Sequence, residues 1–74
     1  MDITKIEMIL CALDLGSFSK AAEIYSYTPS AMTHIADSLE EEIGTKFIKR
    51  THSGIEAKNE EIVEALRNKC NIKN

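Results

Sequence analysis

Apolar residues recur at helical intervals in three early stretches, flank a polar turn as two short groups in a fourth, and return to helical intervals near the end. Ile3, Ile6, Leu10 and Leu13 are spaced by three or four, with Ile9 beside them, so a first helix carries one apolar stripe. It starts at Asp2 or Thr4, since Thr4 with Glu7 three residues on fits a capping box, and Gly16 closes it. Ser17 or Ser19 can cap a shorter second helix reaching about Ser26. Within it Ala21 and Ala22 let another helix approach closely, and Phe18 is placed to plug the corner with the first helix.

A turn, Ser26-Tyr27-Thr28, leads into a third helix opened by Thr28-Pro29. Threonine is a strong N-cap, and proline suits the first helical position because its missing N–H costs nothing there. This helix runs to about Ile43 and is ended by Gly44, with Met32, Ile35, Ala36, Leu39 and Ile43 as its buried face. Glu40, Glu41 and Glu42 lie where the helix dipole disfavours negative charge, and are expected to form a solvated acidic end rather than a partner-docking patch.

Phe47 and Ile48, then Ile55 and Ala57, flank Thr51-His52-Ser53-Gly54, which predicts a β-hairpin that must pack on the helices to be stable. Asn59 caps a last helix, with Glu60 and Glu61 favouring its start and Arg67 and Lys69 its end. Ile62, Val63, Leu66 and Cys70 form its apolar stripe, and Asn71 to Asn74 are expected to fray. The predicted fold is mainly α: a winged helix-turn-helix with a three-helix core over residues 1–58, a short hairpin wing, and a linker-like helix over 59–74.

Composition narrows the picture. The 74 residues make at most one domain, and a chain of this size buries roughly 60% of its unfolded surface. Without Trp, and with two Phe and two Tyr, the core must be small and mostly aliphatic. No apolar run approaches the roughly 18 residues of a membrane span, so a soluble, cytoplasmic protein is expected. Cys11 and Cys70 have no metal-ligand spacing and are read as reduced packing residues, with a bridge between them as the alternative. There is no Gly-rich phosphate loop, and neither His34 nor His52 has a nucleophile or ligand set nearby, so no enzyme, cofactor, metal or small-molecule site is expected.

Net charge is −3, mildly against nucleic-acid binding, but it is unevenly spread. Through Gly44 two basic residues stand against eight acidic ones; from Thr45 onward seven stand against four, which gathers positive potential around Lys46, Lys49 and Arg50.

Ala21, Tyr25, Tyr27, Met32 and Ile35 fall where two helices crossing at a wide angle would meet across the turn. The third helix would then display Ser30, Thr33, His34 and Asp37. In such motifs the second helix enters the major groove, and its N-terminus, near Thr28 and Ser30, offers N–H groups to a phosphate. Each residue has a structural alternative. Thr28 is first a cap, His34 can be a solvated histidine, and Tyr25 and Tyr27 favour the seam over base stacking. Arg50 can hold a phosphate with its forked donors or pair with a carboxylate of Glu40–Glu42.

Gly16-Ser17-Phe18-Ser19, Ala21-Ala22, Ser30-Ala31-Met32-Thr33, Leu39-Glu40, Ile43-Gly44 and Phe47-Ile48-Lys49-Arg50 resemble, as a set and without gaps from about residue 3 to 56, the DNA-binding domain of LysR-type transcriptional regulators. The resemblance implies a winged helix-turn-helix that binds double-stranded DNA as a homodimer, with residues 29–43 in the major groove. It places contacts at Thr28, Pro29, Ser30, Thr33 and His34, and on the wing at Lys49, Arg50 and Ser53. It also implies pairing of two copies through the last helix, by Ile62, Val63, Leu66 and Cys70, although that stripe could equally cover the domain's own core. Pro29 stands where the family often has Gln, and Ala57-Lys58-Asn59-Glu60-Glu61 replaces its usual Leu-Thr-x-Ala-Gly. The family's ligand-sensing domain has no counterpart in these residues, which suits an excised domain or a stand-alone protein. With an acidic first half, the alternative function is a protein-interaction module that keeps the fold without DNA binding.

Overall fold

The computed structural model describes residues 2–71. In chain order it contains α1 (Ile3–Leu15), α2 (Phe18–Tyr25), α3 (Pro29–Ile43), β1 (Ile48–Thr51), β2 (Gly54–Ala57) and α4 (Glu60–Asn71). This is the expected winged helix-turn-helix. Asn71 closes α4, and the rest of the segment expected to fray lies outside the described residues.

Caps set most of the boundaries. Of the two expected starts for α1, Asp2 is the one used: its carboxylate accepts from the Thr4 N–H at 2.8 Å. Thr4 is therefore inside the helix, and the Thr4–Glu7 capping box is not the device that opens it. An ionised N-cap also gains from the helix dipole, which a threonine cannot. Ser17 caps α2, accepting from Lys20 N–H at 3.2 Å, and Gly16 and Gly44 close α1 and α3 in left-handed conformations.

The core gathers between α1 and the remaining elements. Ile6, Met8, Ile9, Met32, Leu39 and Phe47 are almost inaccessible to solvent, each contributing about 2 kcal/mol of apolar burial. Ala21 and Ala22 are fully buried, so α2 sits close to its neighbours as their size predicted. Val63, Leu66 and Cys70 bury α4 against this core, and the Arg67 guanidinium grips the Asp14 carboxylate with both terminal nitrogens, fastening α4 to the end of α1. Cys11 and Cys70 are unbridged thiols.

β1 and β2 pair antiparallel, Ile48 with Ala57 through Thr51 with Gly54. The hairpin is docked, as a two-stranded unit must be. Ile48 and Ile55 are buried, the Ile55 N–H donates to the Gly16 carbonyl at 3.0 Å, and the Lys58 N–H donates to the Phe47 carbonyl at 2.8 Å.

Candidate nucleic-acid interface

The N-terminus of α3 is built by its first residues. Thr28 is extended, its hydroxyl accepts from the Ala31 N–H at 3.1 Å, and Pro29 takes the first helical turn. Because Met32, Ala36 and Leu39 anchor the inner face, Pro29, Ser30, His34 and Asp37 are turned to solvent. Thr33 is half-buried, so its hydroxyl lies at the margin of this face.

The turn before α3 departs from expectation. Ser26 is left-handed (φ 59°), and the Tyr27 N–H donates back to the Ala22 carbonyl at 2.8 Å. That bond uses the Tyr27 backbone to close α2 and leaves its ring outside: Tyr27 is 50% exposed and does not belong to the buried seam. Tyr25 does pack against the core, and burial, aided by the nearby Cys11 and Glu7, raises its phenol above the ordinary range. Phe18, expected as a plug, is only half-buried, with one ring face free for another group.

That group is Arg50. Its guanidinium carbon sits 5.7 Å from the centre of the Phe18 ring, and Nη2 donates to Asp37 Oδ1 at 2.8 Å. Neither sequence alternative for Arg50 anticipated this partner. The pair joins wing to helix, so α3 and β1 form one continuous surface. Lys49 is exposed beside Arg50, opposite Glu56 in the ladder, and Ser53 is exposed at the hairpin tip near Thr51.

The acidic end of α3 also differs from expectation. Glu41 and Glu42 are exposed, but Glu40 is 6% exposed, and its Oε2 accepts from the N–H groups of Phe47 at 2.9 Å and Ile48 at 3.1 Å. Two charge-assisted bonds offset both burial and the unfavourable end of the helix dipole. Of the four residues expected to pair two copies, Val63, Leu66 and Cys70 are covered by the chain's own core, and Ile62 is half-buried. Among the described residues, no helix is long and apolar enough to cross a membrane.

Over residues 3–57 the chain matches the model of the family described as bacterial regulatory helix-turn-helix protein, lysR family. No curated protein sequence matches it. Its backbone is similar to that in the crystal structure of the CbnR DBD–DNA complex, with a TM-score of 0.88 at 20% identity over 99% of this chain and 86% of that one. Similarity to the BenM DBD in complex with catB site 1 DNA gives 0.83 at 18% identity, over 99% and 82%. Full-length LysG from Corynebacterium glutamicum, with bound effector Arg, gives 0.81 at 28% identity over 99% of this chain; the chain spans 26% of that regulator's length.

Proposed function

The chain belongs to the LysR family of bacterial regulatory helix-turn-helix proteins, and from that premise we propose how it engages sequence-specific double-stranded DNA. The first turns of α3 enter the major groove, and the wing lies on flanking phosphates. One observation carries this: Pro29, Ser30 and His34 are solvent-facing on α3 while Lys49 and Arg50 stand on a wing that Arg50 ties to the same helix. Ser30 and His34 supply polar atoms for base edges, and the Pro29 ring suits a thymine methyl. Thr28, Thr33, Lys49, Arg50 and Ser53 border the groove and serve phosphates, which position the protein without reading sequence. The similar CbnR and BenM structures are complexes with DNA, which supports a DNA-binding role for this fold.

A cytoplasmic homodimer completes the proposal. Since Val63, Leu66 and Cys70 hold α4 to its own domain, they support a pairing surface from within, and Ile62 is the member of that stripe left partly open to a second copy. The test is a fluorescence titration against mixed-sequence duplex at low salt, with light scattering in parallel. Saturable binding that weakens with salt is expected; no binding by a verified dimer would remove the proposal.

A further inference from the structure

Asp37 stands three residues beyond His34 and four beyond Thr33, on the face of α3 assigned to the groove, where a carboxylate meets a polyanion. Its partner is the cation best suited to hold a phosphate. Arg50 Nη2 donates to Asp37 Oδ1 at 2.8 Å while the Phe18 ring covers the guanidinium at 5.7 Å, so α2, α3 and the wing converge on it. The two side chains are 54% and 49% exposed. An ion pair this open to water contributes little to folding, yet both its members are within reach of an approaching phosphate.

We infer that Asp37 sets the sequence-independent share of DNA binding: by engaging Arg50 it withholds one phosphate contact. This rests on the DNA-binding reading above. A phosphate must displace the carboxylate to gain the guanidinium. Duplex that α3 cannot read offers nothing to offset that cost. Matched duplex does, through contacts with base edges, and so binds despite it. Phe18 holds the guanidinium near the helix in both cases.

The experiment compares the wild type, Asp37→Asn, Arg50→Ala and the double variant on mixed-sequence duplex across a salt series, with circular dichroism showing each folded. Asp37→Asn is expected to bind roughly three- to eightfold tighter near 0.1 M salt, with a salt slope steeper by about one. In the double variant the gain should vanish, leaving affinity equal to that of Arg50→Ala. An unchanged slope in Asp37→Asn beside a wild type that binds overturns this inference alone. So does a gain that survives in the double variant, which would make it a general effect of removing negative charge. Binding by neither the wild type nor Asp37→Asn overturns the inference together with the DNA-binding reading beneath it.

Discussion

Gly54 shows how a single position fixes the wing. Its φ is 148°, and a Cβ placed there would lie 1.9 Å from the Gly16 carbonyl oxygen, the atom that accepts from the Ile55 N–H. A side chain would have to push backbone against backbone and break the bond that docks β2 on the end of α1. Gly44 makes a useful contrast: its φ is 89°, but a Cβ there meets nothing within 4 Å. Gly44→Ala therefore incurs only left-handed strain, about 1 kcal/mol, whereas Gly54→Ala adds the collision and should cost about 3 kcal/mol. Urea denaturation of the two variants checks the ordering, and equal losses would refute the role given to the Gly54–Gly16 contact.

Among elements, the link between α3 and the hairpin matters most for function, because it decides where the wing stands relative to the groove-facing helix. Glu40 makes that link from the inside with two backbone N–H groups, and Arg50 makes it from the outside with Asp37. Both inner bonds end on the same carboxylate oxygen, so Glu40→Gln keeps an acceptor and should cost about 1 kcal/mol. Glu40→Ala strands two buried donors and should cost about 2 to 4 kcal/mol. Amide exchange at Phe47 and Ile48 should accelerate in the alanine variant before it does in the helices. Uniform acceleration would mean that Glu40 supports the whole domain rather than the wing. The same residues show what could be read from the chain. Thr28, Ser17 and Asn59 act on N–H groups three residues ahead, so their roles were visible in short stretches of sequence. Glu40 acts seven and eight residues away and Arg50 thirteen, across turns whose geometry no local pattern specifies. Tyr27 was misplaced for a related reason: its spacing suited the seam, but a left-handed Ser26 turned its side chain outward. The buried framework was thus legible from periodicity and caps, and the electrostatics of the groove-facing surface were not.

For the whole molecule, an overall charge of −3 must be reconciled with a polyanionic partner. Its extents are 30 × 24 × 19 Å, and near 0.1 M salt the Debye length is about 10 Å. Charges more than that distance from the duplex, whatever their sign, are then largely screened, so affinity depends on the cations at the contact itself. Lys49 on the wing and Lys20 on α2 are exposed and are the cations proposed for phosphates, while Arg50 is engaged by Asp37 and Lys46 lies 4.0 Å from Glu40. Two or three phosphates neutralised per protomer give a slope of log affinity against log salt of roughly −2 to −3. A homodimer seated on two half-sites doubles it to roughly −4 to −6. Anisotropy titrations over a salt series, with the mass of the complex taken from light scattering, therefore read contact number and stoichiometry together. A slope near zero would show that the wing and α2 touch no phosphate. One steeper than about −8 would demand more cations than this surface carries, and would move the contact to another face of the molecule.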